Sequence, residues 1–395
     1  MKTRHILIAT ALLAGVFSCS KVVTYKDELP DRFVNEGAPV IDSVFDIQDG
    51  KLERKLTEGS LAQIIHIKGK NLAKPEKIAF NGIEADLDKC YCENEDSYVV
   101  IPRVLPSDVS NTIEYVTKEG RTSFDFTVNI PQLVLTGLSN EFAAAGSSVK
   151  VEGDFFDLFG FGVEGSAASV KIGDTPVQVD SVSETYMSIV IPEDTPDNSI
   201  ITFSWEDVTL GAQTKKIPYR NTSYLFFGNF DTAGFWSEDL KAKHLTDGSA
   251  SGDPVSQGYR FLRFNGTFGG WSWNSVGLGD GWYYDTPADW ATNWVFKLEV
   301  WTNPAIPIPA YDAHASSPNG VFVQLNLKEN TPLDFGGSAI NTGGQWKTFS
   351  FPLGEIVSEM PANGDYWGFA FTIQPPSDWT VDCAFANFRI EPANY

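Results

Sequence analysis

The sequence predicts an all-β, multidomain protein in which two small β-sandwiches precede a larger terminal one. Three observations carry this. From Gly37 to Pro218, short alternating apolar runs recur about every 8 to 12 residues between Gly, Asn, Asp and Pro, and no 3.6-residue period is sustained. One set of sequence marks occurs twice in that stretch, in the same order. Beyond about residue 219 the alternation continues but the composition changes, and ten of the eleven Trp lie there. A chain of 395 residues is too long for a single core. With 51 Asp+Glu against 29 Lys+Arg and a net charge of -22, it repels phosphate backbones and anionic lipid surfaces. Nucleic acid is therefore excluded as the main partner, and an aromatic content of 13% excludes a disordered chain.

Residues 1–18 read as a signal peptide: Lys2 and Arg4 precede one apolar run, Ile6 to Phe17, too short to span a membrane. The run ends in Val16-Phe17-Ser18-Cys19, which resembles the bacterial lipobox. That resemblance implies that Cys19 is diacylated and opens the mature chain, so that the membrane is met only through the lipid anchor. Residues 19–36 are polar, have no apolar period and read as a tether. Acidic residues just behind the lipidated Cys direct Bacteroidota lipoproteins to the outer face of the outer membrane. Asp27 and Glu28 come later than that, so cell-surface exposure is the expectation and the periplasmic face stays open. Four Cys are too few for a disulfide scaffold, and Cys90, Cys92 and Cys383 are expected as free thiols.

The repeat comprises Gly59-Ser60, Ile64 to Gly69, Lys77 to Gly82 and Ser97 to Pro102, then Gly146-Ser147, Val149 to Gly153, Val170 to Asp174 and Met187 to Pro192. Glycines supply the turns, and a proline stands where a strand leaves the sheet. The order resembles the immunoglobulin-like IPT/TIG domain, which implies one such module at 37–130 and another at 131–218, in a family whose modules space or dock partners. Pro131 and Pro218 stand at the module ends, where a fixed φ would stiffen the joints. Gly160-Phe161-Gly162-Val163-Glu164-Gly165 matches a dinucleotide fingerprint only formally, since it opens no helix, and reads as an aromatic loop.

Residues 219–395 hold more Trp than a core needs, because indole is large and its N–H wants a partner. Period-two alternation sets Phe296, Leu298 and Val300 inward and Lys297, Glu299 and Trp301 outward; Val321, Val323 and Leu325 inward and Phe322, Gln324 and Asn326 outward; Leu262 and Phe264 inward and Arg263 outward. Trp294 and Trp367 fall on core faces, while Trp236, Trp346 and Trp379 could cover the sandwich ends. Trp271, Trp273, Trp282, Tyr283 and Trp290 lie in segments rich in Gly, Asp and Asn, where aromatics are binding candidates. With Trp301 they are expected to stack on sugar rings, while Arg263, Glu299, Gln324 and Asn326 bond hydroxyls at the rim. Phe385 to Ile390 resembles the closing strand of jelly-roll carbohydrate-binding modules, many of which hold a calcium ion. Ala384 and Ala386 stand where an acidic ligand would be expected, so no metal and no cofactor is assigned.

Lipobox, two IPT/TIG-like sandwiches and a Trp-rich terminal sandwich together resemble the surface glycan-binding lipoproteins of Bacteroidota polysaccharide-utilisation systems. The resemblance implies a non-catalytic protein that captures a polysaccharide, most often a β-glucan, beside a TonB-dependent transporter and its partner lipoprotein. No Glu-x-Asp-x-x-Glu run, Gly-x-Ser-x-Gly elbow or metal-binding His spacing is present. An adhesin or structural immunoglobulin-like lipoprotein that binds a protein, or a glycoside hydrolase, remains the alternative.

Overall fold

The computed structural model describes residues 32–48, 50–225, 230, 234–281, 285–309, 320–325, 331–333, 339–362 and 364–395. The signal peptide, Cys19, Trp282, Tyr283 and Asn326 lie outside the described residues. The chain divides at Ile130 and Pro131 into two compact units.

The first unit is a sandwich. One sheet has the strand order Lys55–Leu56, Val40–Asp46, Ile64–Lys70, Asp96–Val100, Tyr91–Cys92; the facing one has Gly120–Asp125, Thr112–Thr117, Lys77–Phe80, Ile83–Glu84. The second unit opens with a sandwich in which Val134–Leu138, Ser148–Asp154, Tyr186–Val190 and Gln178–Val182 face Thr175–Pro176, Ser169–Ile172, Ser199–Asp207 and Gly211–Tyr219. Apart from the edge strand Lys55–Leu56 and the parallel pair Glu58–Ser60 with Thr127–Asn129, both extra in the first, the two share one order, so the repeated sequence marks denote one fold used twice. Gly69 and Gly153 show why the marks recur. A Cβ on Gly69 would collide with the carbonyl oxygen of Val40, and one on Gly153 with that of Val134. Each glycine lies against the bulge in its module's first strand, where two backbones approach too closely for a side chain. Ile101 and Ile191 are buried, their N–H groups bonded to the carbonyls of Gln63 and Ser147. The aromatic loop turns inward: Phe156, Phe159 and Phe161 are all buried.

The terminal sandwich packs two five-stranded sheets around a core of Phe264, Phe296, Phe369, Phe371, Phe385 and Phe388. In the first, called here the platform sheet, the order is Gly234–Phe235, Asn274–Gly281, Tyr366–Gln374, Gly320–Leu325, Thr331–Pro332. The second, the docking sheet, runs Leu245–Thr246, Phe261–Phe268, Trp379–Pro392, Trp294–Thr302, Lys347–Pro352. Its central strand is thus the predicted closing strand. Cys90, Cys92 and Cys383 are free thiols, and burial in the core raises that of Cys383. No helix of the described residues is long and apolar enough to cross a membrane.

The outer face of the docking sheet is covered by the preceding sandwich. Glu141, from the loop after Val134–Leu138, pairs with Lys297 at 2.7 Å and Arg389 at 2.6 Å; Arg389 also pairs with Glu299 at 3.0 Å, and Lys297 with Glu391 at 2.8 Å. Backbone bonds run both ways: Thr348 N–H donates to the Ser139 carbonyl at 2.9 Å, and Glu141 N–H to Thr348 Oγ1 at 2.8 Å. The Arg389 guanidinium lies 4.9 Å over the Phe142 ring. This network, more than Pro218, joins the two sandwiches. Pro218 pairs with Ile200 in an edge strand, the sheet position where a missing N–H is tolerated.

Candidate functional site

The platform sheet places its large side chains on the core side and almost none on the other. On Asn274–Gly281 the inward residues are Val276 and Leu278, and on Tyr366–Gln374 they are Trp367, Phe369, Phe371 and Ile373. Outward come Ser275, Gly277 and Gly279, set through the register beside Thr372, Ala370 and Gly368. The next strand adds Phe322 opposite Thr372 and Gln324 opposite Ala370. The result is a floor of small residues, on which flat rings can lie close to the backbone.

Trp236 uses it. Its N–H donates to the Gly277 carbonyl at 3.1 Å, continuing the pairing of Gly234–Phe235, and so directs the indole outward. A Cβ on Gly277 would fall inside that indole, and one on Gly279 would meet Tyr366 Oη and Trp236 Nε1. Only glycine permits this seat. With one face on the sheet, Trp236 is still 48% exposed, and Tyr366 is 62% exposed. At the other end of the floor, Trp273 packs on Phe322 with ring centroids 5.4 Å apart and stays half exposed, as does Trp271.

The loop carrying Trp271 and Trp273 is held at several points. Trp271 N–H bonds the Pro375 carbonyl at 2.7 Å, Gly270 N–H bonds Asp378 Oδ1 at 2.8 Å, and Asn274 Nδ2 bonds the Ile373 carbonyl at 3.1 Å. These bonds keep Trp271 at φ +62°, a left-handed conformation uncommon for so large a residue. From Ser275 to Gly279 the floor runs five residues, four steps of about 3.4 Å each, or about 14 Å. Exposed rings at both ends suit an extended ligand with apolar faces and hydroxyl edges; between them Ser275 and Gln324 are partly exposed, while Thr372 is buried and donates its hydroxyl to Ser275 Oγ at 2.9 Å.

The structure therefore separates the residues that the sequence groups together. Trp271, Trp273 and Gln324 belong to the platform sheet. Trp290 opens the short helix Trp290–Asn293 and packs partly against the core. Arg263, Glu299 and Trp301 lie on the far side of the sandwich, on the docking sheet. Arg263, Ala384 and Trp301 are opposite one another across three strands, and the small Ala384 lets the guanidinium lie 4.9 Å over the Trp301 ring. Arg263 is nearly buried and pairs with Asp253 and Asp382. Trp301 is partly buried against Phe261 and Trp346.

Glu299 corrects the expectation of an open polar face most sharply, since it is fully buried beneath the neighbouring sandwich. Burial raises its carboxyl above the usual range even though Arg389 opposes this. Glu141 goes the other way: burial would raise it, but Lys297 and Arg389 together hold it low. Trp236 and Tyr366 are the residues that sequence reasoning missed. Their signal was the spacing Gly277-x-Gly279, with Gly368-x-Ala370 on the partner strand, two strand faces with nothing of their own to bury.

The comparisons agree with this architecture. Residues 219–392 match the family model of the surface glycan-binding protein B xyloglucan binding domain, and residues 133–219 match the IPT/TIG domain. The crystal structure of a surface glycan-binding protein from Prevotella bryantii superposes with a TM-score of 0.50 at 18% identity, covering 91% of this chain and 100% of that one. A second, SGBP-B from a complex xyloglucan utilization locus in Bacteroides uniformis, gives 0.43 at 17% identity over 90% of this chain and 99% of that one. No relative among the curated proteins matches. The terminal sandwich, residues 219–392, thus belongs to the family of surface glycan-binding protein B xyloglucan binding domains, and the sandwich before it, residues 133–219, to the IPT/TIG domains.

Proposed function

We propose that this protein captures a neutral, extended polysaccharide at the bacterial surface and does not cleave it. The observation that carries the reading is Trp236, seated on glycines with its outer face exposed, in one floor with Tyr366, Trp273 and Phe322. A β-glucan such as xyloglucan fits best, because a flat chain alternates apolar ring faces with hydroxyl edges, and because the matching family model is one of xyloglucan binding. Capture without hydrolysis is supported by the same face: none of its described strand residues is a carboxylate, and glycoside cleavage needs two of them flanking the bond. A lipid anchor at Cys19 on the outer membrane would hold the acidic body outside the cell, where it would deliver glycan to a TonB-dependent transporter and its partner lipoprotein.

The test is native electrophoresis of the chain from Ser20 onward, in gels cast with xyloglucan, mixed-linkage glucan, β-1,3-glucan and unrelated polysaccharides. Retardation by a β-glucan is expected, with no shortening of the polymer on prolonged incubation. If no glycan slows the wild type, capture is refuted and the adhesin reading takes its place.

A further inference from the structure

Aromatic side chains also form a row on the first unit, which nothing above puts to use. In its five-stranded sheet Phe45 stands opposite His66, His66 opposite Tyr98, and Tyr98 opposite Tyr91. Four rings thus cross four strands in register, and Phe33 extends the row with an edge contact to Tyr91 at 6.5 Å. The inward residues of these strands, Val44, Ile65, Ile67 and Val99, fill the core, so the row lies on the outer face.

The ring planes of Tyr98 and His66 differ by 11°, with centroids 4.3 Å apart. His66 is 5% exposed and Tyr98 36%, so Tyr98 covers His66 and turns its other face to solvent. His66 Nε2 and Lys68 Nζ both bond Asp96 Oδ1, at 2.6 and 2.7 Å, which anchors the ring under Tyr98 from the side. Tyr91 and Phe33 are exposed as well.

The row borders a cleft of about 840 Å³ lined by Arg32, Glu36, Lys70, Asn71, Asn94 and Asp96 among others. That volume is in the range of small-molecule sites. Its carboxylates, amides and cations are interspersed and partly paired, as Arg32 is with Glu93 at 3.6 Å. Such a lining offers donors and acceptors to hydroxyl groups. It is richer in acid than in base, so it disfavours sulfated or uronic-acid chains.

We infer that the first unit carries a second saccharide site, with Tyr98, Tyr91 and Phe33 as the stacking surface and the adjoining cleft as the hydroxyl-binding wall, and that it takes a neutral oligosaccharide segment. The inference takes only its ligand class from the function proposed above; its residues are distinct from those of the platform sheet. Two sites on one chain would engage one polymer with avidity, raising the apparent affinity for polysaccharide over that for a short oligosaccharide by about 100-fold or more.

Isothermal titration of the chain from Ser20 onward with oligosaccharides of xyloglucan, mixed-linkage glucan and β-1,3-glucan tests this. Three proteins are compared: the wild type, Tyr91→Ala/Tyr98→Ala, and Trp236→Ala/Trp273→Ala. Two sites per wild-type chain are expected, and one in each variant, with polymer retardation reduced at least tenfold in both. Loss of all binding in the tryptophan variant, with the tyrosine variant equal to wild type, overturns the second site, leaves the platform site standing and assigns the row to a protein partner. Binding that survives in the tryptophan variant and vanishes in the tyrosine variant supports the inference while refuting the platform site. A wild type that binds nothing refutes both. Thermal melting checks folding; should the double tyrosine variant fail to fold, Tyr91→Ala alone gives the answer, because that ring is 53% exposed on a two-residue edge strand.

Discussion

The two outer faces of the terminal sandwich are built from the same alternation and end in opposite conditions. On the platform sheet, glycine, alanine, serine and threonine leave the backbone low, and Trp236 lies down on it with one face in solvent. On the docking sheet, Lys297, Glu299, Arg389 and Glu391 are long and charged, yet the preceding sandwich covers them and Arg389 and Glu299 are wholly buried. Polarity of an outward position therefore does not identify a ligand face. Small residues beneath exposed rings do so here, whereas long complementary charges mark a place where another domain sits.

The largest effect should come from breaking the docking face. Arg389→Ala leaves Glu299 buried without its cation and Glu141 with Lys297 alone, and should destabilise the second unit by about 3 to 5 kcal/mol, read from denaturant unfolding. Glycan binding by any protein that remains folded should persist. Next come the platform rings: Trp236→Ala and Trp273→Ala should each weaken binding by about 1 to 3 kcal/mol in titrations, with little change in melting temperature.

Gly277→Ala sharpens the same point without removing a ring. Its methyl would occupy the space of the Trp236 indole, so affinity should fall toward that of Trp236→Ala while Trp236 fluorescence shifts to that of a more solvated indole. Unchanged affinity would mean that the seat on glycine is not what orients the ring. By contrast Trp301→Leu, on the docking sheet beside Arg263, should leave glycan affinity as it was.

The smallest effect is one of pH. Glu141 is held below its usual value, so its contribution is present above about pH 4.5 and is lost as pH falls below that. Glu299 is raised, so its contribution is full below about pH 4.5 and erodes as pH rises. Glu141→Gln should accordingly cost more stability than Glu299→Gln at pH 7, and the gap should narrow in melts at pH 4.

Much of this was legible in the chain. The twice-used sandwich could be read because Gly69 and Gly153 meet a backbone carbonyl in their own module, a local demand that leaves a local mark. In the terminal domain, Val276, Phe296, Phe371 and their neighbours fall on the core side as alternation requires. Trp271 and Trp273 could be picked out because they stand in a Gly- and Asn-rich loop. Arg263, Glu299 and Trp301 could not be told apart from them, since a period of two says that a residue points away from the core and nothing about what waits there. Glu141, 158 positions before Glu299, carries no sign of its partners.

What the sequence by itself determined is the strand content, the repeated module, the division of each strand into an inner and an outer side, and the aromatic excess at one end. These follow from short-range causes: backbone sterics at glycine and proline, and the burial of alternate side chains. Only the tertiary structure decided which outer side carries exposed rings and which a neighbouring sandwich covers, and that Trp236 belongs with Tyr366 and Trp273. Those outcomes depend on contacts between residues far apart in the chain, and a buried charge network or a ring lying on glycine exists only once the elements that hold it have packed.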